Sequence, residues 1–212
     1  MSGLGRLEGA YALGTPEDNR RYYAEFAAFY DREFAQGLGY VYPRAIARAY
    51  LAAAGPEDAP VADIGCGTGL VAADLATARE GLVIDGMDIS PEMLARARET
   101  GLYRALHEID LTGDLGPIRN GYGAVLSTGT FTHGHLGPGP LRALSAIARP
   151  GALFVIGVNR AHHEAQGFGS VLDAMTAAGE IGPVAQEETA IYDREGHAHS
   201  GDTALVLTYR TA

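Results

Sequence analysis

From about residue 60 onward the chain alternates short apolar runs with stretches whose apolar residues return every three or four positions. Runs at 60–62, 82–87, 103–107, 122–126, 153–158, 187–192 and 204–209 predict strands. The intervening stretches at 70–79, 91–100, 140–148 and 170–178 predict helices. Regular alternation of the two predicts an α/β fold, with a mostly parallel seven-stranded sheet covered by helices on both faces. The last two strands are separated by a turn-rich stretch, which predicts a hairpin and an antiparallel last strand.

Before residue 60 the pattern is different. Residues 1–14 show no period and read as a loose arm. Thr15-Pro16-Glu17-Asp18 has the chemistry of a helix start. Tyr22, Tyr23, Phe26, Phe29, Tyr30 and Phe34 follow at helical spacing. After the Gly-Leu-Gly turn at 37–39, Pro43 opens a second helix with Ile46, Ala47, Tyr50, Leu51 and Ala54 on one face, closed by Gly55. Residues 1–59 are therefore expected to form an arm and a helical lid on a core of residues 60–212, in one structural domain. Such a segment could fold over the carboxyl edge of a parallel sheet, where ligands bind. The aromatic stripe equally suits plain core.

The most telling residues lie where the first strand ends: Asp63-Ile64-Gly65-Cys66-Gly67-Thr68-Gly69. Glycines at alternate positions allow positive φ and let a ligand approach bare backbone, with the next helix start facing it. The dinucleotide fingerprint Gly-x-Gly-x-x-Gly is not met, because Leu70 stands where its third glycine belongs. Asp63, inside the turn, would repel a pyrophosphate. An acid there suits a cofactor with an ammonium, a sulfonium and a ribose, and with no phosphate, which is S-adenosylmethionine. Asp88 ends the second strand, about 20 residues past the glycine turn, where an acid can accept from ribose hydroxyls. Asp85 competes for that role, and either could be a solvated turn acid. Ile89 can pack on an adenine face, and Ser90-Pro91-Glu92 opens a helix that Gly101 closes. Asp110-Leu111, after the third strand, can receive the adenine amino group.

These motifs, in this order with the strand at 122–126 and the Arg149-Pro150-Gly151 turn, resemble the class I S-adenosylmethionine-dependent methyltransferases over nearly the whole chain. Closer likenesses, at Cys66-Gly67-Thr68-Gly69-Leu70-Val71-Ala72, Ala97-Arg98, Gly101-Leu102-Tyr103 and Tyr30-Asp31, are to the methyltransferase-like protein of the Williams–Beuren region and its bacterial relatives. The resemblance implies a Rossmann-like sheet and S-adenosyl-L-methionine as cofactor, with S-adenosyl-L-homocysteine as product. It implies cofactor contacts from Tyr30, Asp63, Gly65, Cys66, Gly67, Asp88, Ile89, Asp110, Leu111 and Ser127.

Composition narrows the partner. With 47% hydrophobic residues in 212, there is ample material for a core. No apolar run approaches the roughly 20 residues of a membrane span. The N-terminus lacks a basic, apolar leader, so a cytoplasmic location is expected. A net charge of −10 argues against nucleic acid. So does the loop after the fourth strand, which lacks the Asn/Asp-Pro-Pro-aromatic motif of methyltransferases acting on bases. Cys66, the only cysteine, leaves no disulfide and no spare thiol.

The expected partner is a small-molecule methyl acceptor presenting an O, N or S nucleophile. Methyl transfer needs alignment and desolvation, and a base only if the nucleophile starts protonated. Six of the seven histidines form the pairs His133/His135, His162/His163 and His197/His199. In the expected topology all three pairs lie at the carboxyl edge. His133 and His135 are the candidate catalytic residues; solvated loop histidines are the plainer alternative. No pair has the spacing of a familiar metal site, and no metal is expected. Two other readings stay open: a cofactor-binding regulatory module without transfer, and an NAD-dependent oxidoreductase.

Overall fold

The structure is a computed structural model that describes residues 16–27, 30, 35, 37–113, 115, 118, 121–133 and 135–212. The expectations for residues 1–15 and for Phe29, Asp31 and Phe34 lie outside them. The strands are β1 (Val61–Ile64), β2 (Ile84–Asp88), β3 (Ala105–Glu108), β4 (Tyr122–Phe131), β5 (Ala148–Asn159), β6 (Ala185–Ala190) and β7 (Thr203–Arg210). They form one sheet in the order β3-β2-β1-β4-β5-β7-β6. Neighbours from β3 to β5 are parallel, and β7 runs antiparallel between β5 and β6. The order reverses at β1, so a crevice opens beyond the carboxyl ends of β1 and β4.

The helices are α1 (Pro16–Phe26), α2 (Tyr42–Ala53), α3 (Leu70–Ala78), α4 (Pro91–Glu99), α5 (Pro140–Ser145), α6 (Arg160–Gln166) and α7 (Phe168–Ala177). Strand alternation splits the core in two. Val61, Ala124, Leu126, Leu153, Val155 and Val206 face α2 and α3. Ala62, Ile64, Val125, Phe154, Ile156 and Leu207 face α5 and α7. The fully buried aliphatic and aromatic side chains on both sides drive folding at about 1.5–3 kcal/mol each.

Several element bounds shift by a few residues from the sequence pattern, and four differences have a local cause. Strand β2 starts later and includes Asp88, because Leu82 and Val83 remain partly exposed before the sheet begins. Helix α5 stops at Ser145, and its apolar continuation, Ile147, leads directly into β5. Helix α6 has no apolar stripe; the Asn159 side chain starts it by accepting from the His162 N–H at 3.1 Å. Of the described N-terminal helices, α2 lies against the sheet as a core layer, with Ile46 and Tyr50 fully buried. Helix α1 packs against α4 and reaches the β2 and β3 ends through Arg20, which donates to the Ile89 carbonyl and pairs with Glu108.

Candidate cofactor site and the histidine loops

The glycine turn hangs over the crevice because its backbone is positive in φ at Gly65, Gly67 and Gly69. Gly65 is required twice over: its φ is +65°, and a Cβ there would overlap the Thr130 hydroxyl from β4. Gly65→Ala should therefore destabilise the fold by about 2–4 kcal/mol, read as a lower urea midpoint. At Gly67 the direction of a Cβ is open space. No side chain caps α3, whose N-cap is Gly69, so its leading N–H groups face the crevice.

Asp88 anchors the turn. One carboxylate oxygen accepts from the Gly67 N–H at 2.9 Å, and the other from the Ser90 N–H at 2.9 Å. The Ser90 hydroxyl in turn accepts from the Met93 N–H as the N-cap of α4. Burial raises the Asp88 pKa, while the N–H groups of Ser90 and Gly67 hold it down. Asp85, the competitor, belongs elsewhere: it is buried against Tyr122 Oη (2.7 Å) and the Arg104 guanidinium (2.9 and 2.5 Å). Its carboxyl is lowered by those partners despite the opposing effect of burial.

Asp63 is 1% exposed. Its Oδ2 accepts from Tyr103 Oη at 2.7 Å, and its Oδ1 is buried with no hydrogen-bond partner. Burial, opposed by the Tyr103 hydrogen bond and reinforced by the charge of Asp88, pushes its pKa up to about 7. The native carboxyl thus holds a proton that the unfolded chain has lost. Its contribution to stability falls as pH rises from about 4, the ordinary carboxylate value, to about 7. Cys66 is buried, and burial followed by the Asp63 and Asp88 charges keeps its thiol protonated.

The remaining sequence candidates are placed as follows. Ile89 and Leu111 are half-buried, and the Asp110 carboxylate accepts from the Thr112 N–H and hydroxyl at 2.8 and 2.6 Å. Ser127 is fully buried, and its hydroxyl donates to the Ile64 carbonyl at 2.9 Å. That hydroxyl ties β4 to β1. Tyr30 is half-buried and packs against the α2 side of the core.

Because β6 runs parallel to β5, the loops after β4, β5 and β6 share the carboxyl edge. The histidine pairs there are not one cluster. His133 meets His162 edge-on, with ring centroids 5.3 Å apart. His162 is buried, with Nε2 2.9 Å from the Leu136 carbonyl, while His163 stacks on Phe168. His135 has Nδ1 3.2 Å from the Gly129 carbonyl, and burial pushes its pKa down to about 4. An imidazole with that pKa is neutral throughout the physiological range. His197 packs edge-on against Tyr192, and His199 Nδ1 lies 3.0 Å from the Asp202 carboxylate. Among the described residues, no group of three or more His, Cys, Asp and Glu side chains is placed to hold a metal ion. No helix among them is long and apolar enough to cross a membrane.

Three residues beyond the sequence reading shape the site. Tyr103 grips Asp63, Thr130 fills the space beneath Gly65, and the Tyr40 hydroxyl stands 3.0 Å from where a Gly129 Cβ would be. Tyr103 left a trace in the sequence, in the Gly101-Leu102-Tyr103 stretch that carries the family likeness.

The residues fit a phosphate-free cationic cofactor. An orphaned carboxylate oxygen waits at Asp63 for a donor, open space lies over Gly67, and Asp88 ends β2 beside it. Comparison with known proteins points the same way. Residues 61–151 match the model of the methyltransferase domain family. The chain is 33% identical over 153 residues to methyltransferase-like protein 27 of Homo sapiens, which is 70% of this chain and 60% of that protein. It thus spans about 60% of the length of that curated relative. In fold it is similar to a TehB-like SAM-dependent methyltransferase from Corynebacterium glutamicum, with a TM-score of 0.62 and 22% identity, over 91% of this chain and all of that one. It is also similar to a chain from the complex between the Haloferax volcanii Trm112 methyltransferase activator and a methyltransferase. There the TM-score is 0.58 and the identity 21%, over 90% of this chain and 97% of that one. At such identities the solved structures speak to the fold alone. Family match and sheet order agree that residues 61–151 of this chain are a methyltransferase domain, in a sheet of the class I S-adenosylmethionine-dependent methyltransferase fold.

Proposed function

We propose that this protein transfers a methyl group from S-adenosylmethionine to an O, N or S nucleophile of a small molecule. The observation that carries the proposal is where buried polar atoms lack partners. Asp63 Oδ1, Thr128 Oγ1, His163 Nε2 and both ring nitrogens of His197 are such atoms; the Tyr209 hydroxyl, beside Phe154 near the opposite edge, is a further one. The others stand on β1 and β4 and after β5 and β6, toward one edge of the sheet. Buried polar groups are normally hydrogen-bonded, so such a concentration marks a place where ligands complete the bonding.

In this reading Asp63 and the Gly65–Gly67 backbone receive the methionine end, Asp88 the ribose, and Asp110 with Leu111 the adenine beside Ile89. Cys66 packs beneath the turn, Ser127 holds β4 in place, and Tyr30 closes the pocket from the N-terminal side. When bound, the cofactor supplies a methyl group already activated on a sulfonium. The protein's own residues then align the acceptor and exclude water. In this reading His133 takes a proton from the acceptor. His135, neutral and held against the Gly129 carbonyl, is the second histidine of that loop that this reading brings to the acceptor. The net charge of −10 favours a small acceptor over nucleic acid.

Turnover of S-adenosylmethionine to S-adenosylhomocysteine across a metabolite panel tests the assignment. Product formed with at least one acceptor supports it. Tight cofactor binding with no turnover on any acceptor supports the regulatory-module reading instead. Once an acceptor is known, His133→Ala should lower kcat by about 10²–10⁴-fold if His133 is the base; undiminished kcat removes that role.

A further inference from the structure

Tyr103 has no place in the cofactor contacts assigned above, yet the fold is arranged around it. It precedes β3, 40 residues from Asp63, and its hydroxyl donates to Asp63 Oδ2 at 2.7 Å. Two glycines clear room for its ring. A Cβ at Gly69 would lie 3.1 Å from that ring, and a Cβ at Gly86 would lie 2.9 Å from it. One of those glycines ends the cofactor turn and the other is in β2, so the ring is wedged between turn and sheet. The bond it makes uses one side of a buried carboxyl and leaves Oδ1 unpaired.

We propose that Tyr103 is a positioning residue for the cofactor: its hydroxyl fixes the Asp63 carboxyl with Oδ1 toward the ligand's ammonium, so that cofactor entry drives a proton off Asp63. The proposal rests on the cofactor reading above. With no ligand present, Oδ1 has neither donor nor cation against it, and the proton belongs on that oxygen because Oδ2 is already accepting. The titratable groups facing Asp63 are Tyr103, Asp88 from the end of β2 and Cys66 from the turn. None is a cation, and no ion pair forms at Asp63 among the described residues. The direction of the Asp63 shift, upward to about 7 by burial, agrees with that placement. An arriving ammonium supplies the missing donors and the opposite charge. Asp63 then ionises, one proton leaves to solvent, and the carboxylate is held between the ligand and the Tyr103 hydroxyl.

Calorimetric titration with S-adenosylhomocysteine between pH 5.5 and 8.5, in two buffers of different ionisation enthalpy, tests this. The wild-type protein should release up to one proton at acidic pH. Its affinity should rise as much as tenfold per pH unit below about 7 and level off above. Tyr103→Phe removes only the bond that stabilises the carboxylate, so the midpoint of its affinity–pH curve should move to higher pH, with binding recovered at pH 8.5. Asp63→Asn should bind weakly with no pH dependence in this range. Proton release that is absent in the wild type, or a Tyr103→Phe curve parallel to it, overturns the proposal while leaving the cofactor reading intact. No binding by the wild type at any pH overturns both. The buffer comparison on the wild type decides the proton step even if a variant fails to fold.

Discussion

Asp88→Ala will weaken S-adenosylmethionine binding at least about 100-fold and lower the stability of the ligand-free protein by about 2 kcal/mol. The two effects have one origin. The carboxylate accepts from the Gly67 and Ser90 N–H groups at 2.9 Å each, which joins the glycine turn to the start of α4. Hydrogen bonds to a charged group contribute about 1.5–3 kcal/mol each. Against that gain stands the cost of burying the charge, which is why its pKa is raised and why the net loss is less than the sum. Alanine leaves two N–H groups unsatisfied and frees the turn that shapes the cofactor site. It also removes the acceptor proposed for the ribose hydroxyls. Asp88→Asn keeps one acceptor oxygen and should fall between wild type and alanine in both urea midpoint and calorimetric Kd. Cofactor affinity unchanged in Asp88→Ala would remove Asp88 from the site.

Arg210→Ala will cost about 3 kcal/mol of stability at neutral pH and lower Tm by about 6–12 °C, with cofactor affinity little changed. Arg210 reaches from the end of β7 to the loop before β1. There its guanidinium donates twice to Asp58 at 2.8 and 2.9 Å, and also to the Gly151 and Ala53 carbonyls. Asp58 is fully buried and also accepts from the Gly55 N–H at 2.8 Å. Removing one partner of a buried pair leaves a charge with no counterion, which commonly costs 3–5 kcal/mol (about). The lower end applies because the Arg210 side chain is 41% exposed and water already screens part of the pair.

The pH dependence gives this prediction its sign. The Arg210 hydrogen bonds hold the Asp58 carboxyl below the usual carboxylate range against the opposing effect of burial. In the wild type the pair therefore stabilises fully above the ordinary carboxylate pKa, and this is lost as pH falls through the lowered value. Without Arg210, burial is left to raise the Asp58 pKa. The destabilisation should then shrink as pH drops toward the carboxylate range. Urea melts of both proteins at pH 4.5 and pH 7.5 read this directly; an equal gap at both values would mean the pair carries no linkage. The pair lies at the opposite edge of the sheet from the glycine turn, which is why cofactor affinity should be spared.

The two sites differ in how they could be read. The glycine turn and Asp88 are legible because their chemistry is local: positive φ favours glycine, and a strand end places an acid where a turn can use it. The order of strands and helices is legible for the same reason, since periods of two and 3.6 residues are properties of short stretches. Asp85 and Asp88 lie three residues apart on β2, and the strand end favoured Asp88 while leaving Asp85 as its competitor. Packing separated them, because Arg104 and Tyr122 claim the first, while the N–H groups of Gly67 and Ser90 claim the second.

The chain by itself determined the fold class and the glycine cradle, and it favoured S-adenosylmethionine over NAD, because strand and helix periods and turn chemistry are properties of short stretches. Only the tertiary structure decided what Asp63 is bonded to, that α2 is a core layer, and that Ser127 spends its hydroxyl on the Ile64 carbonyl. It also decided which histidines meet: His133 reaches His162 across two loops, while His163 turns to Phe168 and His197 to Tyr192. The contacts of Asp63 with Tyr103, Ser127 with Ile64 and His133 with His162 join residues tens of positions apart. Their geometry depends on how the strands are ordered and how the side chains fill the space between sheet and helices, which no local pattern encodes.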